Sequence, residues 1–186
     1  MRQFAGSGVR IWNLSREAKA VYTGFIVASV LAFASSILLT QDMVGGRGAA
    51  AYYAGRAGSS AREAAPNPWM DLPDEPARAR VEVAMPYRKL LEVAHFHLFT
   101  MPVFLLIVTH LFMLTGLVPT TKLVWIVAAW ATSLLHVGAP FVVRYGGPRL
   151  SWVFGASGIA MAVPLAVVTL YPAWVMWRPP RSTASG

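Results

Sequence analysis

Four apolar stretches, each long enough to cross a lipid bilayer, constrain this sequence more than any other feature. They cover about residues 20–40, 92–116, 121–143 and 151–176, and each contains at most one charged residue, close to its end. A membrane-spanning helix needs about 20 mostly apolar residues. The 186 residues are 56% hydrophobic and only 13% charged, which is too apolar for a soluble domain. We therefore predict an all-α membrane protein, a four-transmembrane-helix bundle that forms a single membrane domain over residues 1–186.

The long connection between the first and second predicted helices, residues 41–91, is predicted to be an exported loop. It carries seven Lys and Arg residues against six Asp and Glu residues. Because basic residues concentrate on the cytoplasmic side, the basic N-terminal tail predicts that both termini lie in the cytoplasm and that this nearly neutral loop lies outside. Arg144 and Arg149, after the third helix, count against this orientation. Within the loop we expect the glycines of 43–48 to prevent regular structure and 49–65 to form a short helix.

The charge balance and the missing residue types exclude several classes of function. The net charge is +8, but the basic residues lie in tails and loops between apolar spans, so we predict contacts with membrane lipid and not with nucleic acid. The absence of cysteine excludes disulfides, thiolate-held iron–sulfur clusters and covalently attached c-type haem. The sequence has no nucleophile–base pair or phosphate-binding loop, so any catalysis would belong to a larger redox complex of the quinol–cytochrome c type.

All four histidines, His95, His97, His110 and His136, fall inside the second and third predicted helices. Ionisable residues within membrane spans usually face a bundle interior and mark a functional site. At about 100° per residue, His95 and His97 point about 160° apart and cannot bind one ligand together. His110 lies about 22 Å from His95 along the helix, whereas His136 lies near the depth of His95 and His97. One site near the outer face can therefore be formed by His136 with either His95 or His97.

A haem b with two imidazole ligands is the cofactor that we predict at this site. Haem iron takes axial histidine, and the porphyrin fills a large apolar gap between helices. Gly138, two residues after His136, leaves room for a flat macrocycle. His110 has no second histidine at its own depth, so one haem is favoured over two.

Two alternatives to haem remain open. Copper or another transition metal would use His95 or His97 together with Met101, which lies four residues after His97 on the same helix face. Otherwise the histidines form hydrogen bonds between helices or relay protons. Glu92, at the outer edge of the second helix, would orient an imidazole, balance the charge of a ferric haem or accept a proton from a quinol. An extension of its carboxylate to water is equally favoured.

Five features of the sequence can be compared with known families: AHFHLFTMP at residues 94–102, His110, GAPFVVRY at 138–145, GIAM at 158–161 and YYAGR at 52–56. Together they resemble a family of small four-helix proteins of the bacterial inner membrane that carry a histidine-x-histidine motif. The resemblance implies a four-helix fold in the bacterial inner membrane and association with exported c-type cytochromes in respiratory modules. The likeness of the histidine spacing to that of diheme b-type cytochromes is one of pattern only.

These features together predict a membrane electron-transfer subunit. Haem b near the outer face would link the quinone pool to an exported c-type cytochrome, or to another respiratory subunit, docked on the 41–91 loop. A cofactor-free scaffold subunit of a respiratory membrane complex is the first alternative function. The second is a membrane protein that handles copper or another metal.

Overall fold

A computed structural model of the protein describes residues 10–45, 48–55 and 84–178, and it is helical throughout these ranges apart from short turns. Four of its helices are long and apolar enough to cross a membrane: α1 (Arg16–Thr40), α2 (Tyr87–Met113), α3 (Pro119–Gly146) and α4 (Trp152–Met176). Shorter helical segments cover Ile11–Asn13, Gln41–Gly45, Ala50–Ala54 and Pro148–Leu150. The predicted all-α bundle of four transmembrane helices is therefore confirmed.

The helix ends differ from the predicted ones because hydropathy marks only the apolar part of a helix. The Oγ atom of Ser15 accepts the backbone N–H of Ala18 at 3.2 Å, and this cap lets α1 begin at Arg16, before the apolar stretch. Pro119 occupies the start of α3, and Gly147, with a φ of +88°, ends that helix. α2 begins five residues earlier and ends three residues earlier than predicted.

The first part of the loop after α1 is helical. The chain continues from α1 directly into a π-helix over Gln41–Gly45, so the prediction that 43–48 lacks regular structure is wrong for its first residues. A glycine weakens a helix by only about 1 kcal/mol, and the adjoining α1 outweighs that cost. A second π-helix, Ala50–Ala54, confirms the beginning of the helix predicted over 49–65. Residues 56–65 of that helix, and residues 46–47 and 66–83 of the predicted loop, lie outside the described residues.

The core of the bundle is formed by α2, α3 and α4, while α1 packs on its outside. Six buried side chains make this core: Leu105, Val108 and Phe112 of α2, Ala129 of α3, and Leu165 and Val168 of α4. In α1, by contrast, Ile26 is the one buried residue. α1 reaches the core through Phe25 and Phe33, whose ring centroids lie 6.0 and 5.4 Å from that of Phe104 on α2.

The two ends of the bundle differ in what they carry. At one end of the bundle α1 and α3 finish and α2 and α4 begin; we call this the loop end. The opposite end is called the terminal end. At the terminal end the backbone N–H of Ile11 donates to the carbonyl oxygen of Leu114 at 3.1 Å. There the Lys122 ammonium also donates to the carbonyl oxygen of Met113 at 2.6 Å. The first bond fixes the N-terminal segment to the α2–α3 turn, and the second joins the two sides of that turn.

The outer surface of the bundle is apolar. Leu31 on α1, Phe99 on α2, Leu135 on α3 and Ile159 on α4 are each more than 60% exposed. A continuous apolar surface of this kind is not found on soluble monomers, whereas lipid tails solvate it. The chain is thus a multi-pass membrane protein in contact with lipid.

Candidate functional site

The four histidines occupy two depths of the bundle. His97 lies 16 residues before the end of α2 and His136 lies 17 residues after the start of α3. At 1.5 Å per residue, both are about 25 Å from the turn that joins these helices. His95 lies two residues from His97 at a similar depth, toward the loop end, whereas His110 lies three residues before the end of α2. The structure therefore places His136 level with His95 and His97, and His110 near the terminal end.

His136 is half-buried between α3 and α4. Its Nδ1 atom lies 2.9 Å from the Oγ atom of Ser157, and that hydroxyl lies 3.0 Å from the backbone carbonyl oxygen of Phe154. The Ser157 hydroxyl donates its single hydrogen to the Phe154 carbonyl oxygen, and in this arrangement its Oγ atom accepts from the imidazole. His136 is then protonated at Nδ1, and its Nε2 atom carries the lone pair.

His97 reaches the same protonation pattern through a different contact. Its Nδ1 atom lies 2.8 Å from the backbone carbonyl oxygen of Val93, one turn earlier on α2. Because that oxygen can only accept, Nδ1 carries the hydrogen and Nε2 the lone pair. His97 and His136 are close enough for charges on their imidazoles to interact. Both imidazoles are thus held in the tautomer that can bind a metal through Nε2.

His95 points away from this pair. A separation of two residues turns it about 160° from His97 around α2. Its exposed ring lies beside Phe96, with ring centroids 6.1 Å apart and planes inclined at 64°. Of the two partners that the sequence left open for His136, the geometry favours His97.

Two residues of α4, Phe154 and Gly158, confine the His136 ring, and the sequence interpretation missed the first of them. The Phe154 ring centroid lies 5.2 Å from that of the imidazole, at an angle of 37°. A Cβ atom added to Gly158 would lie 3.4 Å from the Cε1 atom of His136, so the α4 backbone passes directly beside the ring. Beside Gly138 on α3, an added Cβ would meet no atom within 4 Å, which agrees with the space expected there for a flat group.

The hydroxyls one turn before His136 on α3 differ in their partners. The Thr132 hydroxyl donates to the carbonyl oxygen of Ala128 at 2.7 Å. The Ser133 Oγ atom is buried and has no hydrogen-bond partner within the described ranges. A buried hydroxyl without a partner is costly in an apolar interior, so Ser133 marks a position at which a further polar group would be bound favourably.

The described residues 48–55 of the loop pack beside the site at the loop end of the bundle. Tyr53 packs against Phe154 with ring centroids 5.2 Å apart and planes inclined at 53°, so Phe154 contacts Tyr53 on one side and His136 on another. The carbonyl oxygen of Tyr53 accepts from the N–H of Met85 at 3.2 Å, and Arg144 donates to the carbonyl oxygen of Met85 at 3.1 Å. Burial, and to a lesser degree the neighbouring Tyr52, raises the pKa of Tyr53 to about 12.

The remaining predicted site residues lie around this centre. The carboxylate of Glu92 lies 3.2 Å from the ammonium of Lys89 and is half-exposed, an arrangement that favours its extension to water over a bond to an imidazole. Met101 is half-buried on α2, and its use as a copper ligand with His97 stays a prediction. Across residues 10–45, 48–55 and 84–178, no three His, Asp or Glu side chains form a group that could hold a metal ion by themselves.

Comparison with known proteins identifies the fold family. A family model of a transmembrane helical domain matches residues 45–183, about three quarters of the chain. The chain belongs to this family. The transmembrane helical domain takes in α2, α3 and α4 with the histidine site, whereas α1 precedes it. Neither the curated proteins nor the solved structures gave a match. The resemblance to histidine-x-histidine proteins that accompany c-type cytochromes therefore stays a prediction.

Proposed function

We propose that the protein is a membrane electron-transfer subunit that holds a b-type haem between His97 and His136. The observation that carries this proposal is the matched tautomer of the two imidazoles, each of which donates from Nδ1 and keeps its lone pair on Nε2. Histidines that ligate a metal typically donate their other ring N–H to a carbonyl or another acceptor, which fixes the ring and raises its basicity. His97 and His136 have these bonds in place.

Haem suits this pair better than a bare metal ion. Haem iron needs only two axial ligands from the protein because the porphyrin supplies four. The described residues provide no third His, Asp or Glu for a metal ion beside these two imidazoles. No atom lies within 4 Å of a Cβ atom added at Gly138, which leaves space beside α3. The exposed surface of α2 is apolar and could therefore pack against the apolar face of a porphyrin. When bound, the haem would supply one-electron chemistry, while His97 and His136 would position it.

The site's place in the bundle supports a role in passing electrons at one membrane face. It lies below the loop, and Tyr53 and Phe154 cover His136 from that side. With the loop in the periplasm of a bacterial inner membrane, this cover would face an exported c-type cytochrome or another respiratory subunit. The quinone pool would supply the electrons from within the bilayer.

An absorption spectrum of the purified, assembled protein tests the proposal. We expect a haem b spectrum that His136→Ala and His97→Ala each abolish. His95→Ala, a change on the same helix and at the same depth, should leave the spectrum intact. A spectrum without haem, or one unchanged in the His136→Ala protein, would overturn the proposed function.

The bond between His136 and Ser157 also favours a second candidate, a cofactor-free scaffold subunit. This bond joins α3 to α4 without any ligand, and the contacts from Tyr53 through Met85 to Arg144 hold the loop onto the bundle. A scaffold predicts that the single His→Ala changes lower the yield of the assembled complex and alter no redox spectrum. The same set of variants therefore separates the two functions.

A further inference from the structure

A cavity of about 470 Å³ lies between α1 and α2 near the terminal end of the bundle, away from His97 and His136. Its volume is in the range of small-molecule sites, about 300–1,000 Å³. We propose that it binds the ring of a membrane quinone or quinol. The choice of a redox-active ring over other lipids rests on the proposed electron-transfer function. The assignment adds a location for the quinone on the protein.

The polar groups of the cavity come from opposite walls. Tyr22 projects from α1 and His110 from α2, and the other lining residues, such as Phe25, Leu106 and Ile107, are apolar. A quinone ring has two carbonyl oxygens on opposite sides, and a quinol has two hydroxyls there. A phenol and an imidazole can each donate to or accept from such a group. The apolar walls suit the flat ring and the beginning of its isoprenoid tail.

The same lining argues against other lipids. A phospholipid headgroup carries a phosphate, which Arg or Lys usually pairs with, and the residues described around this cavity include neither. An acyl chain carries no group that could form a hydrogen bond with the phenol of Tyr22 or the imidazole of His110. A quinone ring is uncharged and apolar, and its two separated oxygens can meet these two side chains.

The cavity and the histidine pair lie toward opposite ends of α2. His110 is 13 residues from His97, which corresponds to about 20 Å along the helix. A quinone here would therefore be separate from a group held by His97 and His136. Binding at the two sites can be measured independently on one preparation.

Titration of the purified full-length protein with decylubiquinone, followed by quenching of tryptophan fluorescence, tests the proposal. We expect saturable binding, with Kd raised about tenfold by Tyr22→Phe or His110→Leu, since each change removes one hydrogen bond. The matched controls Tyr145→Phe and His95→Leu, at the loop end, should leave Kd unchanged. Leu106→Trp, which fills the cavity, should abolish binding, whereas Val103→Trp, one turn earlier on the exposed surface, should not.

The outcomes separate this site from the haem. Absence of decylubiquinone binding to protein that shows a haem spectrum would overturn the quinone site alone. Binding with the expected variant effects in a preparation without haem would overturn the electron-transfer function and uphold the site. Equal competition by decanol, which lacks the ring, would identify an ordinary lipid groove and overturn the proposal. The proposal would also be overturned if Tyr22→Phe and His110→Leu both kept wild-type thermal stability and left the Kd for decylubiquinone unchanged.

Discussion

The Nδ1 atom of His136 on α3 lies 2.9 Å from the Oγ atom of Ser157 on α4. Ser157 donates its own hydrogen to the carbonyl oxygen of Phe154, so its acceptor side is fixed toward the imidazole. One bond therefore joins two spanning helices and determines which nitrogen of His136 is protonated. The site's chemistry depends on a residue that binds no ligand itself.

Replacement of Ser157 by alanine should weaken haem binding without removing a ligand. Loss of a hydrogen bond to a ligating histidine typically lowers affinity by about 10–100-fold, and we expect a reduction of that order. Titration of the haem-depleted protein with haem measures it. Ser35→Ala is the matched control, because the Ser35 hydroxyl donates to the Leu31 carbonyl on exposed α1. Equal affinities for Ser157→Ala and wild type would contradict the proposed role of this bond.

Gly158→Val should disturb His136 by contact alone. A Cβ atom at Gly158 would already lie 3.4 Å from the imidazole, so the larger valine forces the ring or the α4 backbone to move. Such overpacking costs about 1–3 kcal/mol, and we expect a lower melting temperature together with lost haem. Gly155→Val, where an added Cβ meets no atom within 4 Å, should change neither property. Equal effects of the two changes would count against close packing at His136.

Ser133→Ala should stabilise the protein, because its buried hydroxyl has no hydrogen-bond partner within the described ranges. Removal of a buried, unsatisfied hydroxyl recovers about 1 kcal/mol, which corresponds to a rise of about 2–4 °C in melting temperature for a chain of this size. Thr132→Val is the control, since the Thr132 hydroxyl bonds to the Ala128 carbonyl. A clear loss of stability in Ser133→Ala would show instead that the hydroxyl holds a polar group of a bound cofactor.

The contact of the loop with the bundle should weaken at alkaline pH. We call the form with Tyr53 packed on the bundle closed and the form with Tyr53 released into water open. Burial raises the pKa of Tyr53 to about 12 in the closed form. From about pH 10 to about pH 12 the open form therefore loses its phenolic proton while the closed form retains it. The closed form is thus fully favoured below about pH 10 and loses this advantage as the pH approaches 12. Phenolate absorbance should show a component titrating near pH 12 that Tyr53→Phe removes. The same titration curve in the Tyr53→Phe protein would refute this assignment.

The fold could be predicted from the sequence because spanning helices carry their own signal. Apolar length alone located α1 to α4, since lipid requires every backbone group in a span to be bonded within it. The true ends depended on local bonds that hydropathy does not see. The Ser15 cap and the positive φ of Gly147 are such features.

The histidine site could be predicted only in part. Helical periodicity shows that His95 and His97 point apart, but the choice between them depends on how α2 lies against α3, which a single sequence does not reveal. Ser157 is the one hydroxyl in a run of small residues at 155–162, and small residues usually indicate helix packing. A polar residue within such a run was the available signal for its role.

The light packing of α1 makes its position depend on the bilayer. Its apolar part, residues 20–40, is about 32 Å long, close to the hydrocarbon thickness of about 30 Å. In a thinner bilayer such a helix tilts to bury its length. The Trp177 Nε1 atom donates to the Thr23 hydroxyl at 3.0 Å, and Phe25 and Phe33 contact Phe104, so α1 is held at a few points and the rest of it is free to tilt. The cavity between these helices will then widen or narrow with membrane thickness, which makes lipid composition a determinant of what it binds.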